Sequence, residues 1–287
     1  ITVGVVSGAS LLICALSIRE TDNPEFVKSK NRERLLDAKK VKEMFSGYFQ
    51  ILRLRPIRYL IGASLVYLIA NTVFMSDMIY YFTYNIHISS IKMSLITLLM
   101  TMAGIALSPL ITLCAGKTDK KTAFIGGMVI SGIVLISARI IGVTSFAEAC
   151  VMCGLFAIGN TCYWQLMPSM IYDVCEAEEL ASGEKHSGQV ISLQALSESL
   201  SAAVGVQLLG IILQQAGFNE LLAQQSETAL FWVSNCFSFL PGLGMLFVAL
   251  VVSRYPITKK TFPRILEGVE KRRRGEAVDL NDYRDIF

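Results

Sequence analysis

Residues 122–142 read TAFIGGMVISGIVLISARIIG and carry a single charged side chain, Arg139. An α-helix rises 1.5 Å per residue, so roughly 20 apolar residues cross the ~30 Å hydrocarbon layer of a bilayer. Inside that layer no water is available to the backbone amides, so a crossing segment must be a helix or part of a closed barrel. The run is therefore predicted to form a transmembrane helix.

Apolar stretches of similar length occupy most of the remaining chain. They lie at residues 1–18, 57–82, 92–115, 147–172, 188–215 and 229–253. Runs this long exclude the alternating pattern of membrane barrel strands, which repeats over ~10 residues. With 53% hydrophobic residues, the chain is predicted to be an all-α integral membrane protein with about seven transmembrane helices.

The basic residues indicate how these helices are oriented. If the first span runs inward, the cytoplasmic segments are residues 19–56, 116–121, 173–187 and 254–287. Every Lys and Arg except Lys92 and Arg139 then lies in or next to a cytoplasmic segment, as the positive-inside rule requires. We predict a multi-pass protein of the cell membrane with a cytoplasmic C-terminus. Topology accounts for the basic charge, so nucleic acid is not an expected partner.

The lengths of the connections predict the domain organisation. Residues 1–18 contain no initiator methionine or signal cleavage site, and we expect them to be the last helix of an N-terminal bundle. Residues 19–56 form a polar cytoplasmic linker, and residues 57–253 form one six-helix bundle because their connections are short. Residues 254–287 form a cytoplasmic tail. A long linker between bundles is typical of transporters, so the chain is interpreted as the C-terminal half of one.

The cysteines and histidines give no sign of a metal centre. Cys150 and Cys153 form a C-x-x-C pair, but no second pair or histidine cluster completes a zinc site. They are interpreted as small residues that fill helix contacts. No nucleophile–base or metal cluster suggests an enzyme, and no cofactor is expected.

Glu198 is the sharpest functional candidate because a charge near the middle of a bilayer costs several kcal/mol. Gln194, Glu198, Ser201 and Gly205 follow at spacings of four, seven and eleven residues, within a narrow arc of one helix face. Such a stripe either lines an aqueous cavity or bonds a neighbouring helix. The first interpretation is favoured.

Asp77 is a second intramembrane carboxylate, near the outer end of its span. Tyr80 and Tyr81 follow it by three and four residues, within reach of a hydrogen bond to the carboxylate. The tyrosines could equally form an interfacial belt. A role of Asp77 in an outer solute vestibule and a purely structural role both remain open.

The fifth predicted span of the chain carries Asn160, Tyr163, Trp164 and Gln165, with Asn160 and Trp164 on one face, and an amide beside an indole suits a sugar. Asn160, Trp164 and Gln165 combine amides with an indole ring. Sugars stack their C–H faces on aromatic rings and hydrogen-bond through their hydroxyls. Packing of a satisfied amide against a neighbouring helix is the alternative.

Two cytoplasmic segments carry opposite charge. Lys117, Lys120 and Lys121 lie in a tight basic turn, whereas Asp173 and Glu176 begin an acidic segment with five carboxylates before Lys185. Ion pairs between them could close a cytoplasmic gate. Two solvated loops that obey topology are the alternative.

Several short motifs resemble one transporter family. The segment PSMIYDVCEAEE at residues 168–179, with SGEK at 182–185, resembles the loop after the tenth helix of the glycoside–pentoside–hexuronide:cation symporters. These symporters belong to the major facilitator superfamily. Further similarities are YYFTY at 80–84, the Arg-Pro pair at 55–56 and YPIT at 255–258.

The resemblance implies helices six to twelve of a twelve-helix transporter that moves a sugar or glycoside with a sodium ion or a proton. In that family the cation-binding carboxylates lie in the N-terminal half, which would be a necessary partner of this chain. The family usually has a lysine where this chain has Ser199, directly after Glu198. The chain departs from the family at that position.

The predicted function is therefore secondary active transport by alternating access, with a small solute bound between two bundles in a lipid bilayer. Two alternatives remain. One is a major facilitator-type transporter of a non-sugar solute or a lipid. The other is a seven-helix receptor, since seven spans with an outer N-terminus also give that topology.

Overall fold

A computed structural model describes residue 48 and residues 51–222 and 224–287. The predicted span at residues 1–18 and most of the linker at residues 19–56 lie outside this part of the chain. The description below concerns the helices from Arg55 onward.

Six helices of the described chain are long and apolar enough to cross a membrane, and they match the six predicted spans from residue 57 onward. They are α1 (Arg55–Tyr80), α2 (Ser90–Lys117), α3 (Lys120–Ile141), α4 (Phe146–Ser182), α5 (Ser187–Gln215) and a last span formed by α6 (Glu227–Ser234) and α7 (Leu240–Ser253). A π-helical turn at Tyr81–Asn85 extends α1, and a second at Asn235–Phe239 joins α6 to α7. The all-α membrane fold is confirmed.

Helix α4 is longer than its apolar stretch predicts. Ser145 accepts a hydrogen bond from the Glu148 amide and Glu148 bonds back, so a capping box fixes the N-terminus. The helix then continues ten residues past the predicted end and stops at Gly183, whose φ of +82° suits glycine. The alternative that the acidic segment is a solvated loop does not hold for residues 173–182, which are helical because the tail packs on this extension and buries its apolar side.

The bundle is built from helix pairs in close contact. α1 packs mainly on α5 and α7, while α3 packs on α4 and α7 and α2 packs on α4. Small residues let the backbones approach: a Cβ on Gly205 would lie 2.8 Å from Thr72 Cβ, and one on Gly159 would lie 2.7 Å from Ser131 Oγ. Close contact through small residues is how membrane helices associate without a hydrophobic driving force between them.

Large apolar side chains cover much of the outside of the bundle. On α2, Leu98, Met102 and Ile105 are each at least half exposed. A soluble protein of this size rarely shows such a continuous apolar surface. It fits a chain surrounded by lipid or by further helices.

The tail folds onto the C-terminal end of α4. Helix α8 (Phe262–Arg273) buries Ile265 and Val269 against the bundle. A short 3₁₀ turn at Leu280–Tyr283 follows it. A Cβ on Gly268 would meet both Leu180 of α4 and the Tyr283 hydroxyl, so the three elements meet at this point.

Candidate functional site

A cavity of about 220 Å³ opens between α4 and α5. Its wall contains Trp164 of α4 together with Gln194 and Glu198 of α5, three residues that the sequence singled out. The remaining lining residues are Tyr163, Met167, Pro168, Ile171, Tyr172, Ile191 and Ala195. One wall is therefore aromatic and apolar, and the other carries the carboxylate and an amide.

Gln194 is the centre of the polar network beside this cavity. Its Nε2 donates to Glu198 Oε1 at 3.2 Å and to Ser64 Oγ of α1 at 3.2 Å. The Tyr163 hydroxyl lies 3.4 Å from the same nitrogen. Gln194 Oε1 is buried and has no hydrogen-bond partner in the described chain. The network thus orients Glu198 and leaves one acceptor unused next to the cavity.

Aromatic rings form the opposite wall. Trp164 is 50% exposed and Tyr172 is 61% exposed, so both offer ring faces to a ligand. Tyr163 holds the indole edge-on at 5.4 Å between ring centroids and itself stacks on Tyr67 at 3.8 Å. Because Tyr67 and Tyr163 are buried, they fix the position of the exposed indole ring.

The predicted polar stripe on α5 divides into two halves. Gln194 and Glu198 border the cavity, whereas Ser201 and Gly205 are buried against α1. Ser201 Oγ donates to the Leu65 carbonyl at 3.3 Å. The expectation that the whole arc lines a cavity is wrong for these two residues, because α5 turns that part of its face into the tight contact with α1.

Two of the predicted solute-binding residues form hydrogen bonds between helices and do not line the cavity. Asn160 Oδ1 accepts a bond of 2.7 Å from the Tyr67 hydroxyl. Gln165 Nε2 donates to the Ser108 carbonyl at 3.2 Å and to Thr112 Oγ1, both on α2. Their residue types suggested a sugar site, but both side chains extend from α4 to neighbouring helices.

Asp77 also lies away from the cavity. Its side chain is fully buried, and neither carboxylate oxygen has a hydrogen-bond partner in the described chain. The expected bonds from the two tyrosines are not formed, because the Tyr80 hydroxyl donates to Glu220 at 3.1 Å and the Tyr81 hydroxyl donates to the Val143 carbonyl at 3.4 Å.

The basic turn and the acidic segment lie at the same end of the bundle, and one of the predicted pairings between them is formed. Lys120 Nζ lies 2.8 and 2.7 Å from the two oxygens of Asp173. Lys121 instead donates to the Tyr255 carbonyl at 2.8 Å, and Lys117 is exposed. Glu176 lies 3.5 Å from Arg273 of the tail.

Tail residues complete this end of the bundle; the sequence motifs included Tyr255, but no tail residue was predicted to belong to a site. Arg273 forms a two-point contact with Glu179 at 2.7 and 2.8 Å, and Lys259 donates to the Gly116 carbonyl at 2.6 Å. The Tyr255 hydroxyl donates to the Met170 carbonyl at 3.3 Å, and burial raises the pKa of this hydroxyl well above its ordinary value. A cavity of about 320 Å³ lies among these elements.

The aromatic and apolar lining of the cavity was only partly found from the sequence. Tyr163 and Tyr172 were not singled out as site residues. The available signal was helical spacing: Trp164, Pro168 and Tyr172 recur every four residues along α4. This spacing places the three residues near one another on the helix surface.

Comparison with known proteins identifies relatives of the chain. A sequence model of the family described as "MFS/sugar transport protein" matches residues 2–259. This match covers most of the chain and all six described spans. The similarity to major facilitator symporters noted in the sequence is thereby confirmed.

Curated relatives carry names that fit the same family. A putative sulfoquinovose importer of Salmonella typhimurium is 27% identical over 268 residues, which cover 91% of this chain and 55% of the importer. A glucuronide carrier protein homolog of Escherichia coli is 22% identical over 232 residues, covering 80% of this chain and 50% of the carrier. The chain spans about half the length of the curated relatives it matches.

Proposed function

The chain belongs to the MFS/sugar transport family, and on that premise we propose that it is the C-terminal bundle of a secondary transporter for a sugar or glycoside. Its family and its relatives are transporters and carriers, not enzymes. Alternating access would move this bundle against a second, N-terminal bundle, with the solute bound between them. Residues 1–18 would end that N-terminal bundle and residues 19–56 would link the two.

The cavity between α4 and α5 is the observation that carries this proposal. Ligand pockets usually enclose about 300–1,000 Å³. The present cavity encloses about 220 Å³ and has exposed aromatic rings at its edge, so it fits part of a solute site that a second bundle would complete.

The chemistry of the cavity suits a hydroxylated ring. Trp164 and Tyr172 offer faces on which the C–H side of a sugar can stack. Glu198 can accept hydrogen bonds from sugar hydroxyls, and Gln194 holds the carboxylate in place. Asn160 and Gln165, which bond to neighbouring helices, would support the α4 wall from behind.

Coupling to a cation, either a sodium ion or a proton, is part of the proposal. The uphill movement of a solute needs a second, downhill flux, and Glu198 is a carboxylate beside the solute cavity. A relative from Synechocystis named as a symporter, 26% identical over 115 residues, supports coupled transport. That match covers 38% of this chain and 21% of the symporter.

Two ion pairs at the predicted cytoplasmic end support a role in gating, but a different one from direct closure by opposite charges. The Lys120–Asp173 pair and the Arg273–Glu179 pair lie within this bundle and its tail. They would keep the cytoplasmic end rigid while the bundle moves. Exposed Lys117 is then the predicted gate residue best placed to meet a second bundle. We place this end and the tail in the cytoplasm of a cell-membrane protein.

Uptake into proteoliposomes tests the proposal directly. The full-length transporter would be reconstituted and given radiolabelled methyl glucoside, a glucuronide and sulfoquinovose in turn, with a sodium gradient, a pH gradient or neither. We expect gradient-dependent accumulation of at least one compound. Failure of all three under every gradient would reject sugar transport and favour a non-sugar solute or a lipid.

A carboxylate variant and a matched control locate the site. Glu198→Gln keeps the shape of the side chain but removes its charge, so uptake should fall by about tenfold, the effect of losing one charge-assisted bond. Glu276→Gln makes the same chemical change at an exposed tail position and should leave uptake unchanged. Equal uptake by both variants would remove Glu198 from the solute site.

A further inference from the structure

Asp77 is a carboxyl group enclosed within the bundle. Its relative exposure is 0%, and both of its oxygens lack a hydrogen-bond partner in the described chain. Residue Ser64, which bonds to Gln194 beside the solute cavity, precedes Asp77 by 13 positions on α1. At 1.5 Å per residue this separates the two levels by about 20 Å. Asp77 is therefore distinct from the solute cavity.

No side chain near Asp77 compensates a negative charge. Tyr80 and Cys236 lie close enough to Asp77 to interact with its charge. The other titratable and charged groups at this end of the described bundle are Tyr81, Tyr84, His87, Lys92, Arg139, Glu148, Cys150, Cys153, Glu220 and Glu227. The lysine and the arginine among them are engaged elsewhere: Arg139 Nε donates to Asn235 Oδ1 at 2.8 Å with its guanidinium over the Phe231 ring, and Lys92 Nζ lies over the Phe146 ring. Tyr80 is bonded to Glu220 and Tyr81 to a backbone carbonyl.

An ionised carboxylate is unstable in such surroundings. Burial of an unpaired charge costs several kcal/mol, more than the burial of the neutral acid. A hard metal cation would need several oxygen ligands, and the described residues contain no group of three or more His, Cys, Asp or Glu side chains that could hold one. A proton needs only one carboxylate oxygen. The conformation seen here thus fits Asp77 in its protonated form.

Both helices that enclose Asp77 leave regular α-geometry beside it. The π-helical turn at Tyr81–Asn85 begins four residues after Asp77, and the π-helical turn at Asn235–Phe239 contains its neighbour Cys236. Such turns are weak points of a helix and occur often at functional sites. Separation of α1 from the last span at these turns would give water access to Asp77.

We propose that Asp77 is a proton-binding site that closes the outer end of this bundle when occupied and opens it when empty. With the proton bound, Asp77 packs neutrally between α1 and the last span. When the proton leaves, the carboxylate needs water, so the two π-helical turns separate. The closed form is then stable at low pH and is lost as the pH rises. The proton on Asp77 and the solute at Glu198 would be bound at separate places.

Infrared spectroscopy of the full-length protein in lipid tests the protonation without any solute. A protonated carboxyl group that accepts and donates no hydrogen bond has a C=O stretch at a distinctly high frequency. We expect this band at neutral pH in the wild type and in Glu198→Gln, and we expect Asp77→Asn to remove it. A neutral-pH spectrum without a band that depends on Asp77 would overturn the proposal.

Hydrogen–deuterium exchange tests the opening. Peptides that cover residues 74–86 and 231–240 should exchange about tenfold faster in the wild type than in Asp77→Asn at high pH, and equally at low pH. Comparison at the same pH cancels the intrinsic effect of pH on exchange. A peptide from α2 serves as the internal control and should not differ. Equal exchange of the two proteins at every pH would reject the proposal even if solute transport through the Glu198 cavity is established.

Discussion

Glu198 and Asp77 are the same kind of group in opposite surroundings. Glu198 lies partly exposed at the wall of a cavity and accepts a hydrogen bond from Gln194. Asp77 is fully enclosed and accepts none within the described chain. A carboxylate with polar contacts and open space can bind a hydroxylated solute, whereas an enclosed one without contacts can bind only a proton. In the proposed transporter the two carboxylates would therefore have separate tasks.

A lysine at each of the two positions should give the largest difference between them. Asp77→Lys puts an unpaired cation into an enclosed site, at a cost of about 3–5 kcal/mol, so little folded protein should reach the membrane. Because Glu198 lies at the open cavity, Glu198→Lys should leave the amount of membrane protein nearly normal but abolish uptake. Quantitative immunoblots of membrane fractions, together with uptake, measure both effects. Similar yields of the two variants would contradict the difference in burial.

Removal of the exposed ring tests the solute side of the comparison. Trp164→Ala should lower the apparent affinity for a sugar by about fivefold, because one aromatic stacking contact contributes about 1 kcal/mol. Trp164→Phe keeps a ring and should lose less. Concentration-dependent uptake gives the values. If Trp164→Ala binds as tightly as the wild type, the aromatic wall is not part of the site.

Neutralising a paired and an unpaired carboxylate should change stability in opposite directions. Asp173→Asn breaks the bond to Lys120 and should destabilise the protein by about 1 kcal/mol, a small value because Lys120 is 37% exposed and solvent screens the pair. Asp77→Asn removes a charge that becomes unfavourable as the pH rises, so it should stabilise the protein at high pH. Thermal unfolding in detergent across pH measures both. Destabilisation by Asp77→Asn at high pH would mean that the carboxylate has a partner.

A hydroxyl next to Asp77 should produce the smallest effect. Cys236→Ser is nearly isosteric and offers a hydrogen-bond donor to the ionised carboxylate, worth about 1 kcal/mol. The closed form then tolerates the ionised carboxylate better, so the pH at which the outer segments open to exchange should rise by somewhat less than about one unit. Ser238→Ala, in the same turn, is a control that adds no donor. A shift to lower pH in Cys236→Ser would contradict the account.

The fold followed from the sequence because the bilayer imposes one strong requirement. Long apolar runs such as residues 122–142 must become helices, and α3 at Lys120–Ile141 matches its prediction closely. The extension of α4 to Ser182 was missed because it lies outside the apolar stretch. It is stabilised by packing against α8, and a contact between distant parts of the chain leaves no local pattern.

A site residue could be predicted from the sequence only where its position along a helix also determined what surrounds its side chain. Glu198 and Gln194 were found because polar side chains near the middle of a span are costly. Asn160 and Gln165 have the same chemistry, yet they bond to Tyr67 and to α2. The sequence gives the face of each helix but not which neighbour that face meets. The placement of Ser201 against α1 was missed for the same reason.

Thiol labelling tests the central claim, a water-accessible solute path along the cavity side of α5. Single cysteines would replace Ala195, at the cavity wall, and Ser201, buried against α1, and would be exposed to a membrane-impermeant maleimide in the full-length transporter. The account predicts that Ala195→Cys reacts, that a transported sugar slows the reaction, and that Ser201→Cys stays unreactive. An unreactive Ala195→Cys in every condition, or equal reaction of both variants, would contradict it.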